Sequence, residues 1–266
     1  MPRLTGRLAW RLMVIATAIW AASAAWAQGN WVKLAPFPEP AEEISGAEAG
    51  GKMYVFAGLA PVWNPVGMVY EYDPASNRWA KKQKMALPSH HVAFTTYKDK
   101  IYAFGGFVLP ESGPPGGVPI NNAWEYDPAV DAWKPLAPMP SKRGSALAAV
   151  AGDKIYVIGG AGTISGSKET AVFPTHPHMS VGTVEEYDPA ANTWRERSAM
   201  PTPRNHAAIG VVAGKIYVIG GRVGAAFIGL ASDISVVEEY DPATDQWSGP
   251  RARMPIARPL FSARSP

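Results

Sequence analysis

Proline followed three residues later by arginine occurs three times, at Pro140 and Arg143, Pro201 and Arg204, and Pro255 and Arg258. A guanidinium group presents a planar fork of donors that can bind a carboxylate or phosphate bidentately. Close to these arginines lie groups suited to acid–base work. Counting back nine residues from Lys52, Lys100, Lys154 and Lys215 gives Glu43, His91, Ser145 and His206, four residues in one register. Carboxylates and imidazoles are the usual proton-transfer groups near neutral pH. Arg204 and His206 are two apart, so in a strand they face the same way. The pattern therefore predicts a ligand-binding mouth built from Arg143, Arg204, Arg258, His91, His206 and Glu43. The same arginines can instead cap neighbouring carbonyls or pair with Glu42 and Glu43, which is a structural role. His176 and His178 flank Pro177, and in an extended segment two imidazoles two residues apart project to one side. No third ligand lies nearby in sequence, so no metal site is expected there, and no cofactor is indicated.

The elements that must position these groups repeat. From Thr202 to Trp247 there are apolar stretches of strand length at His206 to Val212, Lys215 to Gly220 and Val236 to Tyr240, with a fourth at Trp247. Ala213-Gly214 is a two-residue turn signal, and Asp241-Pro242-Ala243-Thr244-Asp245 is a second turn. This is the pattern of a four-stranded antiparallel meander. Its landmarks recur at Trp31, Trp79, Trp133, Trp194 and Trp247, at intervals of 48, 54, 61 and 53 residues. A period near 50 marks a repeat array, because a lone meander cannot bury both of its faces.

Within the repeat, an apolar strand ends in paired glycines at Gly105-Gly106, Gly159-Gly160 and Gly220-Gly221, with Ala57-Gly58 in the first copy. Tyr-Asp-Pro follows at Tyr72, Tyr126, Tyr187 and Tyr240, and a Trp lies beyond each. These residues resemble the kelch repeat, over essentially all of residues 31 to 255. The resemblance implies an all-β propeller with one blade per repeat and the first strand of each blade nearest the axis. Blades are expected at about 41–85, 89–139, 141–200 and 202–254, with Trp31 in an N-terminal fourth strand and 256–266 starting a further blade. A kelch ring usually closes through such an N-terminal strand, so the chain reads as an incomplete, truncated six-bladed ring.

Composition narrows the function classes. The formal net charge is +3, but Arg3, Arg7 and Arg11 precede an apolar run from Leu12 to Ala25 that ends in Ala25-Trp26-Ala27. This order is that of a cleavable signal peptide over residues 1–27, which predicts a periplasmic or secreted protein of the bacterial exported type. The run is shorter than the roughly 20 residues that span a bilayer, so no membrane span is expected after cleavage. Without the leader the chain is formally neutral, which argues against nucleic acid as a partner. There is no cysteine, hence no disulfide and no thiol chemistry. No nucleophile elbow, phosphate loop or metalloprotease helix is present.

The variable segments are the second-to-third-strand connections, Leu59 to Gly67, Phe107 to Asn122, Ala161 to Gly182 and Arg222 to Ser235. Long connections of this kind are usual places for binding. The expected function is recognition of a protein, peptide or carbohydrate ligand through this loop face at the axis, with Trp63, Phe107, Phe173 and Phe227 as apolar anchors. The alternative is a sugar epimerase similar to periplasmic kelch enzymes acting on sialic acid. There the arginines would clamp a carboxylate, and Glu43 or a histidine would move the proton.

Overall fold

The computed structural model describes residues 31–113, 116–173, 178–226, 231–249 and 251–258. The leader and residues 259–266 lie outside them. Over residues 37–258 the described chain contains four four-stranded sheets, each an antiparallel meander, besides three small two-stranded ones. The first blade is Glu42–Ala49, Lys52–Ala60, Asn64–Asp73 and Arg78–Lys81. The second is Ala93–Tyr97, Lys100–Phe104, Ala123–Asp127 and Ala132–Pro135. The third is Leu147–Ala151, Lys154–Ile158, Val184–Asp188 and Thr193–Arg197. The fourth is Ala208–Val212, Lys215–Ile219, Val237–Asp241 and Gln246–Trp247. The described residues form a β-propeller with four blades.

Each first hairpin is closed by a two-residue turn that pairs Ala49 with Lys52, Tyr97 with Lys100, Ala151 with Lys154 and Val212 with Lys215. Three of these turns, Gly50-Gly51, Lys98-Asp99 and Ala213-Gly214, hold both residues at positive φ, the geometry that matches strand twist. The register of every first strand is thereby fixed relative to the lysine of the second.

Burial is greatest in the second strands and falls towards the outer edge of each blade. Second strands such as Lys154–Ile158 are buried on both faces, whereas fourth strands such as Thr193–Arg197 are mostly exposed. Between the third and fourth blades, Tyr156 and Ile158 meet Ile216, Val218 and Tyr240. Burying each such side chain contributes about 1.5–3 kcal/mol.

The repeated Tyr and Trp have a further purpose. Trp133, Trp194 and Trp247 each donate their indole N–H to a carbonyl of the preceding blade, at Gln83 (3.2 Å), Ala137 (2.8 Å) and Ser198 (2.8 Å). Asp131, Asn192 and Asp245 accept the hydroxyl of their own blade's Tyr at 2.7 Å. The same three oxygens accept the N–H groups of Gln83, Ala137 and Ser198 at 2.8 Å. The Tyr…Trp signature is therefore a polar stitch between blades as well as apolar filling.

Residues 31–36 form a separate unit without a strand, and Trp31 is fully exposed. The N-terminal fourth strand expected at Trp31 is not formed in the described structure. A strand exists through its ladder bonds, and no third strand among the described residues pairs with it. On the first blade it is Phe37 that packs edge-on against Tyr70 and Trp79. Residues 256–258 likewise carry no strand.

Candidate axial binding site

The innermost strands enclose a cavity of about 280 Å³, walled by four consecutive residues from each blade: 43–46, 91–94, 145–148 and 206–209. Its wall is largely apolar, through Ile44, Val92, Phe94, Leu147 and Ile209. Glu43, His91, Ser145 and His206, the four residues in one register, form a polar ring within that lining. All four adopt the left-handed backbone region, with φ of 51°, 54°, 54° and 48°. Non-glycine residues seldom do so, and such positions cluster where function holds them.

The ring is tightly coupled. His91 Nε2 lies 3.3 Å from Glu43 Oε2, and the His91 and His206 rings meet edge to face at 5.0 Å. His91 Nδ1 is 2.5 Å from Nδ1 of His90, so one of that pair donates to the other. The Ser145 hydroxyl is buried and has no hydrogen-bond partner among the described residues. Burial pushes the His206 pKa down to about 3 and that of His90 to about 4, and it holds His91 well below the usual range. The Glu43 carboxyl is raised by burial, with Arg222 acting against the shift.

A pH dependence of stability follows. The unfolded chain protonates its histidines near pH 6.5 while the fold resists, so their contribution is complete above that pH and is lost as pH falls towards 4 and 3. Each buried imidazole adds a slope of about 1.4 kcal/mol per pH unit within its window. Glu43 acts in the opposite sense, because its folded pKa is the higher one. Urea unfolding between pH 4.5 and 6.5 is expected to show falling stability with acid, with a steeper fall in Glu43→Gln. A midpoint that does not change across this range would contradict the buried neutral ring.

The arginines lie elsewhere. Arg143 and Arg204 do not line the cavity, and their side chains are 1% and 0% exposed. Arg143 Nη1 is 2.7 Å from Glu185 Oε2 and its Nη2 donates to the Val157 carbonyl at 3.0 Å. Arg204 repeats this with Glu238 at 2.8 Å and Val218 at 2.9 Å. The backbone carbonyls of Arg143, Arg204 and Arg258 accept the N–H groups of Gly106 (2.9 Å), Gly160 (2.9 Å) and Gly221 (3.3 Å) in the preceding blade. Arg258 is exposed. For Arg143 and Arg204 the mouth predicted from strand alternation is thus replaced by structural ion pairs. At His206 the chain is left-handed and the strand begins only at Ala208, so alternation does not carry back to Arg204.

The loop face differs from expectation in a second way. The connections of the second, third and fourth blades fold into small hairpins, Phe107–Val108 with Val118–Pro119, Ala161–Thr163 with His178–Ser180, and Arg222–Gly224 with Ala231–Asp233. Phe107, Ala161, Val172 and Ala226 make a small core among them, so Phe107 is fully buried and is no surface anchor. His178 is buried and its Nε2 accepts the Ala226 N–H at 2.8 Å, while His176 and Phe227 lie outside the described residues. Trp63 is 45% exposed.

Residues 45–86, 88–140, 142–201 and 203–249 each match the family model described as Kelch motif, one match per blade. This chain belongs to the kelch-repeat family. Among kelch relatives, the Kelch-like protein terF of Aspergillus terreus is 27% identical over 82% of this chain and 46% of its own length. The Kelch repeat and BTB domain-containing protein 12 of Homo sapiens is 30% identical over 74% of this chain and 32% of its own. The chain thus spans between a third and a half of these curated relatives. The solved structure of YjhT shares the propeller, with a TM-score of 0.66 at 21% identity, covering 84% of this chain and 68% of that one. Among the described residues no helix is long and apolar enough to cross a membrane.

Proposed function

We propose that this kelch propeller is an exported protein-binding module that recognises its partner through the face carrying the second-to-third-strand connections. The observation that supports this most is the placement of exposed apolar side chains. Trp63, Leu109, Ile164 and Met179 are 45%, 38%, 36% and 45% exposed, and all four lie on those connections. Three of them sit on or beside hairpins tied together by the Phe107 core, so the apolar groups are presented with little ordering cost on binding. The axial cavity is small for a ligand pocket and suits a side chain or small group of the partner. Export rests on the leader's order of charge, apolar run and small-residue site.

The test compares proteins retained from an envelope extract by the wild-type chain, by Trp63→Ser with Met179→Ser, and by Val130→Ser with Val212→Ser on the tight-turn side. The expected result is a defined partner lost only with the first pair, in a variant whose melting temperature is unchanged. Equal retention by all three, or enrichment only of glycans on a parallel array, would overturn the protein-binding reading. A sugar epimerase has less support, since the two buried arginines are already paired. Acceleration of anomer exchange that disappears in Glu43→Gln is the result that would restore it.

A further inference from the structure

We propose that the polar ring of the axial cavity is a binding site for one first-row divalent cation of the zinc type, held by Glu43, His91 and His206. One ligand atom from each lies within 4.8 Å of the others. A cation bonded at 2.0–2.2 Å places tetrahedral ligands roughly 3.4 Å apart. The 3.3 Å between His91 Nε2 and Glu43 Oε2 already meets that spacing, and the His206 ligand atom lies within 4.8 Å of both.

The partners of the ligands suit this use. Asn205 donates its amide to the Ser180 hydroxyl at 2.7 Å and to the Ala225 carbonyl at 3.2 Å, which turns its Oδ1 towards His206 Nδ1. His206 Nδ1 must then carry the proton, which leaves Nε2 with a lone pair for a metal. That is the usual arrangement of an imidazole ligand, oriented and polarised by a second acceptor. His91 Nδ1 pairs with His90 Nδ1, and its Nε2 is the atom that faces Glu43. Arg222, whose charge reaches the ring, is answered by Asp233 at 3.6 Å.

Two imidazoles with one carboxylate favour zinc, cobalt or nickel over magnesium or calcium, which prefer all-oxygen sets. Three protein ligands leave a fourth position for water or a ligand atom. The unpartnered Ser145 hydroxyl, fourth member of the register, is placed to bond a group there. The ligands come from three different blades, so the ion would also join the first, second and fourth blades at their inner ends.

The test uses the full chain without a polyhistidine tag, stripped with chelator and titrated calorimetrically with zinc, with cobalt as a spectroscopic probe. One equivalent of zinc is expected to bind, raising the melting temperature, while magnesium has no effect. Cobalt is expected to give the visible ligand-field bands of a four- or five-coordinate site. Glu43→Gln and His206→Gln are each expected to weaken zinc by at least about tenfold, whereas His176→Ala leaves it unchanged. Should His206→Gln fail to fold, the partly exposed Glu43 still provides the decisive variant. Affinity unchanged in Glu43→Gln, loss in His176→Ala, or no stoichiometric zinc binding would each overturn the proposal. Repeating the partner assay with and without chelator separates this site from the loop-face reading, which does not require the ion.

Discussion

Arg204→Ala is expected to lower the unfolding free energy by about 3–5 kcal/mol, because it leaves the Glu238 carboxylate buried without its counter-charge. It also removes the donor to the Val218 carbonyl. The remaining partner of Glu238, the Thr202 hydroxyl at 2.7 Å, cannot replace a charge. Replacing both members is a different matter. Arg204→Met combined with Glu238→Leu is expected to recover most of the loss, since two apolar groups of similar volume leave nothing unpaired. The first and second blades lack both members of the pair. At the position of Arg143 and Arg204 they have Ala41 and Ser89, and at the position of Glu185 and Glu238 they have Tyr70 and Trp124. Arginine and glutamate occur together or not at all, as a buried pair requires. Urea denaturation of the two single variants and the double variant measures the coupling. If Arg204→Ala kept wild-type stability and instead lost affinity for an anionic ligand, the arginine would belong to a binding site after all.

The blades were legible in the sequence because their signals are local. Strand pattern, two-residue turns and a Trp every 48 to 61 residues identify each meander without reference to its neighbours. The Glu43, His91, Ser145 and His206 register was legible for a related reason. A two-residue turn fixes the first strand against the second, so counting back from the lysine is safe. The direction of the arginines was not legible, because it depends on one left-handed residue at the strand's edge, where period-two alternation fails. Neither was the burial of Phe107, which is set by hairpins from other blades. Local metal-ligand spacing in the sequence points only to His176 and His178. The set that the fold brings together reaches from Glu43 to His206, 163 positions apart, and no local spacing encodes it.

The paired glycines give the other large effect. Gly159→Ala is expected to cost about 3 kcal/mol, combining the roughly 1–2 kcal/mol of a left-handed alanine with a steric clash. Gly159 has φ 66°, and a Cβ there would sit 2.6 Å from the Arg204 carbonyl oxygen. Gly105 is more confined, with the Arg143 carbonyl oxygen at 2.3 Å and the Met139 methyl at 2.8 Å. The glycines are needed because the connection into the next blade passes directly over the end of the second strand, where Gly106 and Gly160 bond to its carbonyl. This explains why the first blade departs from the pattern. Its second and third strands stay paired as far as Ala60 and Asn64, with a bulge between Ala57 and Leu59. Ala57 adopts φ 68° in a fully buried site and is accommodated. Ala57→Gly should relieve the left-handed strain while loosening the unfolded chain, for a net gain of about 0.5–1 kcal/mol. Both outcomes favour glycine, as the shared left-handed angle requires, so the excess of the cost at Gly159 over the gain at Ala57, measured by thermal and urea unfolding, is what reports the passing carbonyl. A Gly159→Ala variant as stable as the wild type would mean that the connection can shift, and that the double glycine is not what sets the close approach of one blade to the next.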